Sequence, residues 1–85
     1  MAGSARSKLI YELIIQCQRF SSKDRNNQYT LDIHEGELAA RIGLSRETIN
    51  REVKKLKKEM LLILSHRTII IPSIDNLKQK LAQSI

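Results

Sequence analysis

Two short amphipathic segments separated by a tight turn constrain the fold of this chain more than any other feature. They predict helices at about residues 35–42 and 46–59, because apolar residues recur there every three or four positions. The apolar positions are Leu38, Ala39 and Ile42 in the first helix and Ile49, Val53, Leu56 and Met60 in the second. Gly43 suits the left-handed end of the first helix, and Ser45 offers an N-cap hydroxyl to the second. So short a connection forces the helices to cross, which is the geometry of a helix-turn-helix.

The apolar patterns on either side of this unit predict a helix before it and a hairpin and a helix after it. Helical spacing covers about residues 5–20, and residues 29–33 alternate between apolar and polar as in a short strand. Apolar runs at 61–64 and 68–71 flank a short turn, which predicts a β-hairpin. The last helix has Ser73 as its cap and Leu77, Leu81 and Ile85 on one face.

The length of the chain limits it to one small domain. Eighty-five residues suffice for one core but not for a doubly wound nucleotide fold, a barrel or a multidomain enzyme. We therefore assign residues 1–85 to one mainly α domain with a small β-hairpin wing, a winged helix-turn-helix. Its helix-turn-helix lies at about 35–59 and its wing at about 61–71. Residues 1–5 are either native sequence or a remnant of cloning.

The positive charge of the chain is concentrated in its second half. The formal net charge is +6, and residues 46–85 hold nine basic and four acidic side chains. This concentration of positive charge favours an anionic partner, either nucleic acid or a membrane surface. A solvated basic face without a partner would have the same composition. No apolar run approaches the roughly 20 residues that cross a bilayer, and we expect no membrane partner.

Patterns typical of catalysis and metal binding are missing from the sequence. Cys17, His34 and His66 lie far apart, without the spacing of a zinc site or a nucleophile placed beside a base. As a single cysteine in an apolar pattern, Cys17 is expected to be a core residue of a reducing compartment. Tyr11 and Phe20 are assigned to core or edge packing of the first helix rather than to base stacking. We therefore expect a cytoplasmic protein without enzyme activity, cofactor or metal.

The polar face of the helix at 46–59 suits duplex DNA. An α-helix fits the major groove, where Arg binds guanine O6 and N7 and Glu accepts a hydrogen bond from cytosine N4. The expected base-contacting residues are Arg46, Glu47, Asn50 and Arg51. The expected phosphate-contacting residues are His34, Ser45, Thr48, Lys54, Lys55, Lys57, Lys58 and His66.

Each of these assignments has a plainer alternative. Glu47 and Arg51 have the spacing of an ordinary surface ion pair, and a lysine-rich helix face is commonly just solvated. His34 also suits a simple helix cap, and His66 an exposed turn. The preceding helix, the glycine turn and the following hairpin favour the DNA-binding interpretation.

The sequence around this helix resembles the signature of Crp–Fnr-type transcription regulators. The matching residues are Glu37-Leu38-Ala39 and Gly43-Leu44-Ser45-Arg46-Glu47-Thr48-Ile49-Asn50-Arg51, followed by Leu56, the strand at 68–71 and the final helix. The resemblance implies that Arg46, Glu47 and Arg51 contact bases of an inverted-repeat operator. They match the cyclic-AMP receptor branch of the family, which implies half-sites containing TGTGA.

Two short segments and one residue depart from the family's pattern. Glu59-Met60-Leu61 stands at the junction of helix and wing, where Gly or Asn is usual. Ser65-His66-Arg67 forms the tip of the wing, where Gly is frequent. Glu52 is polar where an apolar residue is common, and we expect Val53 to supply the packing there.

The resemblance also has implications for the wider protein. Regulators of this family carry an effector-binding β-roll and a long dimerisation helix ahead of the DNA-binding domain. We therefore expect either the DNA-binding domain of a longer, homodimeric regulator or a stand-alone relative. The expected partners are double-stranded DNA and RNA polymerase, and the isolated domain is expected to be monomeric. The alternative from another class is a winged-helix protein-interaction module without sequence-specific DNA binding.

Overall fold

The described part of the chain, residues 4–20, 23–24, 26–66 and 68–84 of a computed structural model, folds into four helices and a three-stranded antiparallel sheet. The helices are α1 (Ala5–Phe20), α2 (Glu35–Ile42), α3 (Arg46–Lys58) and α4 (Ile74–Ser84). The strands are β1 (Tyr29–Leu31), β2 (Ile63–Ser65) and β3 (Thr68–Ile71). This order confirms the predicted winged helix-turn-helix.

Local caps set the inner ends of the helix-turn-helix. The helix α2 ends at Gly43, whose φ of 79° is left-handed and whose N–H donates to the carbonyl of Ala39 at 2.9 Å. The helix α3 follows Ser45, whose Oγ accepts from the backbone N–H of Thr48 at 3.1 Å. These two boundaries are where the sequence predicts them. The helix α3 ends at Lys58, one residue earlier than predicted.

Aliphatic side chains hold the helix-turn-helix against α1. The fully buried residues include Leu38 of α2, Ile49, Val53 and Leu56 of α3, and Leu9, Ile10, Leu13 and Cys17 of α1. The helix α1 also packs against α4, through a core that includes the buried Leu77. Burying one such aliphatic side chain contributes about 1.5–3 kcal/mol. The position of α3 is therefore set by the same core that holds the domain together.

Two expectations about α1 have opposite outcomes. Cys17 is a core residue as predicted, and burial raises the pKa of its thiol to about 11. Core packing of Tyr11, one of the two packing roles predicted for it, is wrong, since Tyr11 is 58% exposed and lies three positions after the exposed Lys8. The side chains of Phe20 and Ile85 lie outside the described residues.

The wing belongs to a sheet rather than standing as a free hairpin. The strand order is β1-β3-β2, with Tyr29 opposite Ile71 and Ile63 opposite Ile70. The sequence predicts both hairpin strands and the alternation at 29–33, but it does not predict that β1 joins the hairpin. A third strand stiffens the wing, because isolated two-stranded hairpins are only marginally stable.

The junction between α3 and the wing corrects two predictions. Met60, which the apolar spacing assigns to the buried stripe, is 80% exposed and has a left-handed φ of 61°. This conformation turns the chain out of the helix, while the N–H of Leu61 donates to the carbonyl of Leu56 at 3.0 Å. The strand β2 consequently begins at Ile63 rather than at residue 61, although Leu62 is buried.

Replacing Met60 with glycine is expected to stabilise the domain by about 1 kcal/mol. A left-handed backbone costs a residue with a Cβ roughly 1–2 kcal/mol, and the greater entropy of unfolded glycine offsets part of the gain. The melting temperature should rise by about 4–8 °C, as measured by circular dichroism. Met60→Ala is the matched control, because it removes the same exposed side chain but keeps the Cβ. Equal stability of the two variants would contradict the role given to the backbone.

An ion-pair cluster links the end of α3 to the first and last helices. Glu59, which directly follows α3, pairs with Arg6 of α1 and with Nζ of Lys80 in α4 at 2.8 Å. Hydrogen bonds from Lys80 and Arg6 hold the pKa of the Glu59 carboxyl below its usual range. Because these side chains are partly exposed, the pairs contribute little stability.

Candidate nucleic-acid interface

The exposed face of α3 presents a contiguous group of polar side chains. Helical spacing buries Ile49, Val53 and Leu56, and the residues between them, apart from the buried Glu52, are exposed to solvent. A shallow cleft on this face is lined by Glu47, Asn50, Arg51, Lys54 and Lys55. The structure thus brings together three of the four side chains expected to contact bases. An exposed helix of this width can enter the major groove.

Arg46 lies at the start of α3, beside the N-terminus of α2. It lines a second open cleft together with His34, Glu35 and Gly36. Its Nε lies 3.7 Å from the position that a Cβ on Gly36 would take. Arg46 therefore extends the polar face of α3 toward α2.

The hydroxyls at the start of α3 bond to each other. Ser45 Oγ donates to Thr48 Oγ1 at 2.8 Å and accepts from the backbone N–H of Thr48. Ser45 is thereby occupied as the N-cap. Thr48 Oγ1 accepts in this contact, and its own hydroxyl proton is not used in it.

His34 caps α2 with one ring nitrogen and contacts Glu37 with the other. Its Nδ1 accepts from the backbone N–H of Glu37 at 3.4 Å, and its Nε2 lies 3.2 Å from Glu37 Oε1. An accepting Nδ1 places the proton of the neutral ring on Nε2, the nitrogen that lies beside this carboxylate. His34 is therefore a helix cap in the fold, which is one of the two roles that the sequence predicts for it.

The tip of the wing lies beside the N-terminus of α2. His66 has a left-handed φ of 56°, at the tip where the family frequently has glycine. It lines a narrow cleft that His34, Glu35 and Leu64 also line. The two histidines are distant in the sequence, and both line this cleft, where the residues at the start of α2 lie beside β2 and β3.

The four lysines near the end of α3 have different surroundings. Lys54 and Lys55 line the cleft on the exposed face, and Nζ of Lys55 lies 3.3 Å from Oε2 of Glu52. Lys57 lines an apolar groove beside the wing, and Lys58 is exposed. They therefore do not form one uniform cationic row.

Glu52 is the buried polar residue of α3. Its side chain is 10% exposed, and the adjacent Val53 is fully buried, as expected. The contact with Lys55 compensates the charge of the carboxylate. Helical spacing already places Glu52 three residues after Ile49 and four before Leu56, which is the signal that it lies on the buried side.

Metal-binding clusters and membrane-spanning helices are not found in the described residues. Their His, Cys, Asp and Glu side chains form no group of three or more that could hold a metal ion. None of the helices they form is long and apolar enough to cross a membrane.

Comparison with known sequences identifies a family over most of the chain. The model of the Crp-like helix-turn-helix domain matches residues 7–80. Those residues contain the whole helix-turn-helix, the wing and most of α4. No curated protein matches the sequence significantly.

Solved structures with the same fold include three transcription regulators. A CRP/FNR-family regulator from Thermus thermophilus has a TM-score of 0.83 and 22% identity, covering 96% of this chain and 42% of its own. A CRP-family regulator from the same organism has a TM-score of 0.76 and 20% identity, covering 95% and 42%. The CO-dependent transcription factor CooA from Carboxydothermus hydrogenoformans has a TM-score of 0.78 and 23% identity, covering 89% and 36%.

These structures agree with this chain in fold over nearly its whole length, whereas the chain spans less than half the length of each regulator. The family match covers the elements that form the polar face of α3 and the wing. The chain therefore belongs to the family of Crp-like helix-turn-helix domains and is a DNA-binding domain of the helix-turn-helix type.

Proposed function

We propose that this domain binds double-stranded DNA sequence-specifically, with α3 in the major groove. The observation that supports this most directly is the exposed cleft of α3, where an acid and an amide lie among cations. Purely electrostatic binding to phosphate gains nothing from the carboxylate of Glu47, whereas a base-contacting helix uses it to accept from cytosine N4. The proposed base-contacting residues are Arg46, Glu47, Asn50 and Arg51.

The surrounding polar groups position the helix on the phosphate backbone. Thr48 lies near the N-terminus of α3, and the four lysines lie toward its C-terminal end. The proposed phosphate-contacting residues are His34, Ser45, Thr48, Lys54, Lys55, Lys57, Lys58 and His66. These contacts contribute affinity without distinguishing one sequence from another.

In the wider regulator, residues 1–85 act as one non-enzymatic DNA-binding domain in the cytoplasm. Two copies held together as a homodimer bind the halves of an inverted repeat with TGTGA half-sites, and RNA polymerase is a further partner. The isolated domain is monomeric and binds weakly, because one such module buries only about 600–1,000 Å² on DNA. Tethering two copies raises the affinity for DNA, because the second domain then binds at a high effective concentration.

A random-site selection with the isolated domain tests the proposed function. Enriched duplexes should share a short half-site, and the best one should bind more tightly than its scrambled version at one fixed salt concentration. Equal affinity for both would show that α3 acts only as a solvated cationic face. That result would favour a winged-helix module that binds proteins.

Lysine and arginine substitutions are expected to weaken binding in different ways. Lys58→Ala should lower the affinity for selected and scrambled DNA equally and reduce the salt slope by about one, because it removes one phosphate contact. Arg51→Ala should instead alter the preferred bases. Lys78→Ala, the same charge change on an exposed site of α4, is the matched control. Fluorescence anisotropy measures the binding of each variant. A change of base preference in Lys58→Ala would contradict the division into phosphate-contacting lysines and base-contacting arginines.

A further inference from the structure

Two exposed apolar side chains lie together beside the wing, outside the proposed DNA contacts. Met60 is 80% exposed and Ile63 is 44% exposed. They border an apolar groove of about 360 Å³. We call it the Met60 groove and define it by its lining residues Lys57, Met60, Leu62, Ile63 and Pro72. Clustered exposed apolar side chains are typical of interaction sites, whereas scattered ones are ordinary.

The Met60 groove adjoins the open edge of the sheet. The order β1-β3-β2 leaves the outer edge of β2 without a neighbouring strand among the described residues. The opposite edge differs, since Tyr29 of β1 meets Lys23 in an isolated bridge. Ile63 lies opposite Ile70 in the ladder, so the two side chains share the outward face beside this edge. An extended peptide can pair with such an edge and place alternate side chains in an adjoining groove.

Charge and shape select the occupant of the groove. Lys57 lines it, and the neighbouring Lys58 and the chain's net charge of +6 favour an acidic ligand. A second copy would bring another domain of net charge +6 against the groove, and the like charges of the two copies would repel. A lipid surface offers no backbone groups to the edge of β2, and DNA offers no apolar side chains to Met60 and Ile63.

We propose that the Met60 groove binds an extended, acidic segment of a partner protein. The segment adds a strand to the outer edge of β2 and places apolar side chains against Met60 and Ile63. Its carboxylates lie near Lys57. Met60 and Ile63 are not among the proposed DNA contacts, so this inference does not depend on sequence-specific DNA binding. Lys57 is also a proposed phosphate contact, and DNA and the acidic segment would compete for it.

Peptide selection on the intact domain tests the proposal. A displayed library of random twelve-residue peptides is selected on the wild-type domain, after depletion on Ile63→Thr. The expected peptides alternate apolar residues with Asp or Glu. A synthetic copy of the best one should protect the amide hydrogens of residues 63–65 from exchange. Its affinity should fall about tenfold on Ile63→Thr, because most of one apolar contact is lost.

Two further variants separate docking from folding and from general stickiness. Met60→Gly should also bind the peptide about tenfold more weakly although it is expected to be the more stable protein, so unfolding cannot explain its loss. Tyr11→Ser, which changes the exposed apolar side chain of α1, should bind like wild type.

Four results would overturn the proposal. One is a selection that yields no peptide sensitive to Ile63→Thr, and another is a peptide whose protection maps to the exposed face of α3. The third is a dimer, seen by sedimentation, that Ile63→Thr dissociates. The fourth is Ile63-dependent binding of phosphatidylglycerol vesicles in place of peptide.

Discussion

Glu47→Ala is expected to relax sequence specificity at one base pair of each half-site, by about 1–3 kcal/mol of discrimination. The variant loses the acceptor proposed for cytosine N4 and also removes a negative charge from a surface that faces phosphates. Affinity for unrelated DNA should therefore stay level or rise. The measurement is binding of wild type and variant to the selected site and to each of its single-base variants, at one salt concentration.

Glu47→Gln is the matched control for this prediction. The amide removes the same charge but keeps an oxygen acceptor, so it should raise non-specific affinity as alanine does while keeping part of the base preference. No ion pair joins Glu47 to Arg51 in the part of the chain that the structure describes. If Glu47→Ala keeps the full wild-type ranking of sites, Glu47 is a surface residue and direct contact with a base is wrong.

Leu56→Ala is expected to lower the free energy of unfolding by about 2–5 kcal/mol. Leu56 is fully buried on the inner side of α3, and truncation leaves a cavity in addition to the lost transfer energy. The free energy of unfolding of a small domain is only roughly 5–15 kcal/mol, so the variant would lose much of its stability. Urea unfolding followed by circular dichroism measures the change.

Lys58→Ala provides the comparison on the same helix. Lys58 is exposed, so its truncation should change the stability by no more than about 0.5 kcal/mol while weakening DNA binding. The two variants thus separate the buried and exposed sides of α3. A loss below about 1 kcal/mol for Leu56→Ala would show that α3 is not held by this core.

The features that the sequence predicts well are those set by neighbouring residues. Gly43 and Ser45 determine the turn through their own backbone and hydroxyl chemistry, so the inner helix ends are placed correctly. The stripe Ile49, Val53 and Leu56 identifies the buried side of α3, and its exposed side follows from the same spacing. The composition of the proposed site could therefore be predicted, although its base contacts stay predictions.

The features that the sequence does not predict depend on residues far apart in the chain. Apolar spacing assigned Met60 to the core because spacing alone does not show where the helix stops. The pairing of Glu59 with Arg6 spans 53 positions. His34 and His66 line one cleft because the fold brings the start of α2 beside β2 and β3. Periodicity carries no information about such partners.

The pairing of β1 with β3 has a consequence for how small a working fragment can be. Tyr29 opposite Ile71 closes a loop that contains the whole helix-turn-helix and the wing. Closing a loop of this length costs on the order of 3 kcal/mol of chain entropy, which the sheet and the core beneath it must outweigh. A peptide of residues 35–59 alone keeps the turn at Gly43 but lacks both the pairing of β1 with β3 and the packing against α1. Dissection of this domain into a minimal DNA-binding peptide should therefore fail at any boundary that falls inside residues 29–71.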